Sequence, residues 1–241
     1  YKRQDIIVNM LPGSLGNKMT SILKDTGQRI VDLSFSESTP DLLDGVSSTI
    51  LWDVGIAPGL SNMLVSSAFR KFGVLDEVSI KVGGNPQLPD EEWSYMAPFS
   101  PHDVIAEYTR PARVIQQSEQ IEVPAMTDLH SIDANGREME AFLTDGLRSL
   151  LAMPAKKMGE YTVRWPGHIQ KYQNSNLSPE ELVDAWALDP LRSEFTWMEV
   201  VISSVDEKIN LIIEDLGKNG DSSIAIKTVL VTACCLIAWI D

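Results

Sequence analysis

Cysteine is nearly absent from this chain of 241 residues, and the two present, Cys234 and Cys235, are neighbours. Adjacent cysteines do not make an ordinary structural staple, and in an apolar run a thiol behaves as a small hydrophobe. A reducing, cytoplasmic setting is the simplest reading of that usage. Histidine is scarce as well: His102, His130 and His168 are scattered, so no metal-ligating spacing exists and no metal is expected. Basic charge is short, with 20 Lys and Arg against 34 Asp and Glu and a net charge of −14, which argues against a nucleic-acid partner. Long hydrophobic runs are missing too. Residues 229–240 fall short of the ~20 needed to span a bilayer, and extending the run to Ile224 brings in Lys227. Neither a membrane partner nor a signal peptide is expected. The absence of Gly-x-Ser-x-Gly speaks against a serine hydrolase, and Gly-x-Gly-x-x-Gly occurs nowhere.

What remains is the composition of a soluble globular protein, 44% hydrophobic and 22% charged, with enough length for one large domain or two modest ones. Three short apolar runs open the chain. Residues 5–11 end in Pro12-Gly13-Ser14-Leu15-Gly16, a strand pattern followed by loop punctuation, with a helix over 17–26 and Gly27 as its C-cap. The second run covers 29–35 and precedes a short helix through Val46. The third covers 49–55 and leads to Pro58 as the first residue of a helix ending at Phe72. Strands alternating with helices predict a parallel sheet whose strand-to-helix turns lie at the carboxyl ends, where open α/β sheets bind ligands. Three strands make half of a doubly wound sheet, so the half that carries the pyrophosphate turn is expected before Tyr1, and the chain reads as cut from something longer.

After Gly73 the pattern changes. Residues 77–82 alternate polar and apolar, as a half-buried antiparallel strand does, and Gly83-Gly84-Asn85-Pro86 breaks the run. Further strands are predicted at Ala112–Gln116, 120–124, 138–143, 159–165, 196–204 and 208–215, with helices at 101–108 and 178–187. The sequence therefore predicts α/β plus α+β: a partial Rossmann-type parallel sheet over 1–73, then a mostly antiparallel α+β domain over 74–218. A closing helix over 219–241 is expected to pack back on the first part.

Three constellations carry candidate chemistry. In Asp53-Val-Gly55-Ile56-Ala57-Pro58-Gly59-Leu-Ser-Asn62 a strand ends at an acid, glycines permit close approach of backbone to a ligand, and a helix N-terminus follows. It reads equally as a strand-to-helix turn in which Asp53 caps locally. In Thr144-Asp145-Gly146-Leu147-Arg148 a strand ends at a polar turn beside an Arg, the residue suited to a carboxylate; a plain turn with a surface Arg fits the same residues. In Arg164-Trp165-Pro166-Gly167-His168 a histidine beside a Pro-Gly break would move protons near neutral pH, or would be structural.

The order of these motifs after Asn9-Met10-Leu11-Pro12-Gly13-Ser-Leu-Gly16, and with Gly83-Gly84 between them, resembles the saccharopine dehydrogenase-like family, closest to its lysine 6-dehydrogenase branch. The resemblance implies an NAD- or NADP-binding Rossmann domain and an α+β domain that closes the active site and builds a homodimer. It also implies hydride transfer from an amine-bearing carbon of an amino acid to nicotinamide. It places Asn9, Met10 and Leu11 beside the nicotinamide ribose and Gly55, Ile56 and Asn62 along the cofactor. Thr144, Asp145, Arg148 and Arg164 would face the substrate, with Asp53 or His168 as proton acceptor. Saccharopine reductases resemble Gly-Leu-Asp-Pro-Gly where this chain has Gly55-Ile56-Ala57-Pro58-Gly59, and their Arg is Thr144 here, so a substrate with fewer carboxylates than saccharopine is expected. The alternative is a non-catalytic relative that binds dinucleotide or serves in assembly.

Overall fold

The computed structural model describes residues 6–217, 222–224, 228, 230–232 and 234. By packing, the chain divides into two units, Tyr1–Asn62 with Lys227–Asp241, and Met63–Ile226.

In the first unit, β1 (Ile6–Asn9), β2 (Arg29–Asp32) and β3 (Thr49–Trp52) form a parallel sheet in chain order. Ile30 and Val31 of β2, the middle strand, are fully buried, as a short apolar run covered on both faces should be. The helix α1 (Gly13–Leu23) joins β1 to β2, and a short 3-10 turn at Pro40–Leu42 lies between β2 and β3. The first helix starts four residues earlier than predicted: the Pro12 carbonyl accepts from the N–H groups of Leu15 and Gly16 at 3.0 and 2.8 Å, so the punctuation read as a loop is the helix's first turn. The helix predicted from Pro58 begins instead at Leu60, as α2 (Leu60–Phe72), because the Pro58 carbonyl accepts from Gly55 N–H at 2.9 Å and closes a tight loop first. The division between units falls inside α2, and residue 73 lies just past its end. Of the closing helix expected over 219–241, all but Ser222–Ile224, Thr228, Leu230–Thr232 and Cys234 lies outside the described residues; Thr232 Oγ1 donates to the Val54 carbonyl at 3.3 Å.

The second unit is built on an eight-stranded mixed sheet. Its strands are β4 (Leu75–Pro86), β5 (Ala112–Gln116), β6 (Glu119–Val123), β7 (His130–Asp133), β8 (Glu138–Thr144), β9 (Ala155–Arg164), β10 (Glu194–Ser203) and β11 (Lys208–Leu216). The order is β11-β10-β4-β9-β5-β6, with β8 also on β9 and β7 on β8; only β4 and β9 run parallel. The predicted break at Gly83-Gly84-Asn85-Pro86 does not occur, since β4 runs through it and pairs with β10 to Pro86. Glycine is needed at position 83 because a Cβ there would overlap the Val163 carbonyl, which also accepts from Asn85 Nδ2 at 3.1 Å.

Besides the greater part of α2, three α-helices among the described residues lie wholly within the unit: α3 (Pro101–Thr109), capped by Ser100 Oγ on Asp103 N–H, α4 (His168–Asn174), and α5 (Pro179–Ala185), which opens with a Ser178/Glu181 capping box. One core gathers Val104 and Tyr108 of α3, Ile169 of α4, Leu182 of α5 and Phe142 of β8 around Trp93, Tyr95 and Trp186. A second holds Met139, Ala141, Val163, Phe195 and Trp197; Met139 and Ala141 are out of step with Phe142 along β8 and so lie on the other face of that strand. No helix among the described residues is long and apolar enough to cross a membrane.

Candidate functional site

Polar residues alternate along the helix-covered face of β9: Glu160, Thr162 and Arg164 are all buried. Two-residue spacing puts them on one side of the strand. A buried guanidinium is costly unless every edge finds a partner, and Arg164, only 3% exposed, finds them in an aromatic box. Its Nε donates to Tyr108 Oη at 2.7 Å and its Nη1 to the Val163 carbonyl at 2.9 Å. The Tyr95 ring lies under it, 4.4 Å from Cζ, a cation–π contact. The Nη2 edge is held more loosely, 3.4 Å from Tyr95 Oη and 3.9 Å from Glu107 Oε2.

His168 closes the box. Its Nδ1 lies 2.9 Å from the Trp93 carbonyl, which can only accept, so Nδ1 carries the proton. Tyr108 Oη already accepts from Arg164, so its own O–H donates to His168 Nε2 at 3.1 Å. Both ring nitrogens are thereby committed. Burial, reinforced by the Arg164 charge, pushes the His168 pKa down to about 3. In this arrangement the imidazole, the proton acceptor named from the sequence, is neutral and is the end of a chain that fixes Arg164. Trp93, Tyr95, Tyr108 and Trp186 all pack their rings on it, at centroid distances of 5.1 to 5.9 Å.

Burial likewise raises the Tyr95 hydroxyl to about 12, and it raises the Glu107 carboxyl to about 7 against the opposing pull of Arg164 and Arg110.

The Thr144-Asp145 turn sits at the end of β8. Thr144 Oγ1 is 2.9 Å from Thr162 Oγ1, which ties it to the polar face of β9. Asp145 is buried and accepts from Arg113 at N, Nε and Nη2 (3.1, 2.8 and 2.8 Å), with Arg110 Nε 3.2 Å away. Its carboxylate therefore orders two arginines of its own chain. Arg148 is buried, with φ of +48° at the start of a 3-10 turn (Arg148–Ala152). The structure thus links Arg164 with His168 through Tyr108, and Thr144 with Thr162, while Asp145 holds Arg113 and Arg110, the latter also acting on Glu107 beside Arg164.

In the first unit the residues assigned to the cofactor lie at the strand ends. Asn9 closes β1, and its Nδ2 reaches the Gly16 carbonyl, Thr20 Oγ1 and Asp32 Oδ1 at 3.0, 2.9 and 3.2 Å. Asp32 also accepts from Thr20 and from Ser34 N and Oγ, so a buried network pins β1, α1 and β2 together. Asn9 is structural through its side chain, whereas Met10 and Leu11 beyond it are exposed. Asp53 follows β3 with φ of +56°, half-buried. The glycines after it approach each other closely. A Cβ on Gly59 would overlap the Gly55 backbone, and Asn62 Oδ1 accepts from Gly59 N–H at 3.0 Å to hold the turn. Ile56 is buried.

Tyr108, Glu107, Tyr95 and Asp32 were not singled out from the sequence. The Glu160-Thr162-Arg164 alternation in an otherwise buried strand was the available signal for the first three, since buried polar groups demand partners; Asp32 had none beyond its place at a strand end.

Residues 55–217 match the saccharopine dehydrogenase C-terminal domain family. The chain is similar to apo histidine-tagged saccharopine dehydrogenase (L-Glu forming) from Saccharomyces cerevisiae, with a TM-score of 0.68 and 12% identity over 95% of this chain and 75% of that chain. At that identity the likeness is one of fold. A Thermotoga maritima protein described as an oxidoreductase aligns over 96% of this chain and 76% of its own at 12% identity, but its TM-score of 0.30 supports no argument.

Proposed function

This chain belongs to the saccharopine dehydrogenase family, and we propose that it is an NAD(P)-dependent amino-acid dehydrogenase of the lysine 6-dehydrogenase type. The observation that carries the reading is Arg164: a permanent charge kept in a box of tyrosines, with its Nη2 edge held only at 3.4 and 3.9 Å. Such an edge is a carboxylate's counterpart. Ala57 and Thr144, standing where relatives of the saccharopine-reducing type resemble acid and Arg, favour a substrate with a single carboxylate, such as lysine.

The residues at the strand ends of the first unit fit the nicotinamide end of a dinucleotide. Met10 and Leu11 offer exposed apolar surface beside the end of β1, and Asn9 and Asn62 stiffen the loops without spending a polar atom on the ligand. Nicotinamide, when bound, supplies the hydride acceptor. Asp53 is the protein group this reading retains for the amine proton, since His168 is committed elsewhere.

The test is nicotinamide reduction by the full-length protein across a panel of amino acids that includes lysine and saccharopine. Reduction with at least one of them is expected. No turnover combined with no NAD(P) binding overturns the reading. A second reading, a dinucleotide-binding or assembly module without turnover, draws on one observation: Thr144, Asp145 and His168 all spend their polar atoms internally. Dinucleotide binding without reduction of any kind would favour it.

A further inference from the structure

We propose that Glu107 is the chain's own counter-ion for Arg164, and that the carboxylate of an amino-acid ligand replaces it there with uptake of one proton. The inference rests on Arg164 as the carboxylate's partner and adds the residue that governs access to it.

Three observations converge on Glu107. The guanidinium is unevenly held: Nε and Nη1 make close bonds of 2.7 and 2.9 Å, while Nη2 has a long bond to Tyr95 Oη at 3.4 Å and faces Glu107 Oε2 at 3.9 Å, too far for a hydrogen bond. Exposure is uneven as well. Tyr95, Tyr108, Arg164 and His168 are each 3% exposed or less, whereas the Glu107 side chain is 15% exposed. Solvent therefore meets this cluster at Glu107, and a ligand bound for Nη2 arrives past that carboxyl. Charge supplies the third. Two carboxylates facing one buried guanidinium cannot both stay ionised, because like charges at that range raise each other's pKa.

The ligand brings a fixed negative charge, so Glu107 takes a proton from solvent onto its carboxylate oxygen. No other bond forms or breaks. The burial that already raises Glu107 to about 7 puts this exchange within reach of neutral pH. The groups around Glu107 are Asp103 on α3, Arg110 at its C-cap, Arg164 on β9 and Tyr95 from the preceding segment. The helix α5, packed against α3, carries Glu180, Glu181 and Asp184, acids of the same sign as Asp103.

The experiment is calorimetric titration of the full-length protein with L-lysine, L-saccharopine and L-glutamate as probes, from pH 6 to 9, in buffers of different ionisation enthalpy. Affinity is expected to fall by up to about tenfold per pH unit above the Glu107 pKa, with proton uptake approaching one per ligand. In E107Q the same ligand should bind with no proton uptake and no such pH dependence. Binding lost in R164K but pH-independent and proton-neutral in the wild type overturns the Glu107 proposal and leaves Arg164 standing. Binding unchanged in R164K, or absent for all three probes, removes the Arg164 reading and this proposal with it. Should E107Q not fold, proton uptake by the wild type decides alone.

Discussion

Lowering the pH from 6.5 to 4.5 sets two buried groups against each other. His168 ionises at about 6.5 in an unfolded chain and, held down by burial and Arg164, at about 3 in the fold. Its contribution to stability is present above 6.5 and is lost as the pH falls towards 3. Glu107 does the reverse. Raised by burial from about 4.5 to about 7, it favours the fold below 4.5 and loses that contribution as the pH rises through 7. Between 6.5 and 4.5 the unfolded state gains a proton at the imidazole while the fold gains one at the carboxyl, so the two slopes, each about 1.4 kcal/mol per pH unit at full strength, oppose. E107Q removes one slope and exposes the other. With solvent reaching the 15%-exposed Glu107 side chain, the variant should lose about 2 kcal/mol relative to wild type across that window. Urea unfolding of both proteins at pH 6.5 and 4.5 measures it. A wild-type-minus-variant difference that stays constant with pH would refute the reasoning, and so would one that moves in the opposite direction.

Tyr108→Phe removes the hydroxyl that joins Arg164 Nε to His168 Nε2 while keeping the ring. Two buried polar groups lose a partner, so a stability loss of about 2–3 kcal/mol is expected in urea unfolding, and a loss below about 0.5 would contradict the relay. Gly146→Ala places a Cβ on the buried Glu160 carboxylate and should cost about 2 kcal/mol or more. Its control is Gly136→Ala, where a Cβ meets nothing within 4 Å and only left-handed backbone, φ +84°, is at stake. That change should cost about 1 kcal/mol. Equal thermal shifts for the pair would count against the packing drawn around Gly146.

The fold class was legible because periodicity reports burial. Short apolar runs between helices gave the parallel β1-β2-β3 sheet, and alternation gave β5, β8, β10 and β11 within a residue or two of their ends. Glycine and proline misled wherever tertiary packing decided their meaning. At Gly83 the Val163 carbonyl, 80 residues away in the chain, requires a missing side chain in a strand that continues. At Pro58 a tight loop precedes the helix, and at Gly13 the helix has already begun. The short β7 and α4 were missed, since four and seven residues offer little periodicity to read. Among the candidate residues, Arg164 and His168 share a motif, but the hydrogen bonds of His168 were not legible in it, because they depend on Trp93 and Tyr108, partners 75 and 60 residues distant.

The most direct test of the account is a comparison of turnover with lysine and with 1,5-diaminopentane, the same chain without its carboxylate, in wild type and R164K. If Arg164 receives the carboxylate through Nη2, R164K should lose about 100-fold in kcat/KM with lysine, as a buried charge-assisted bond of this kind implies. Its kcat/KM with the diamine should change little. An equal loss on both substrates, or none on either, would contradict the claim.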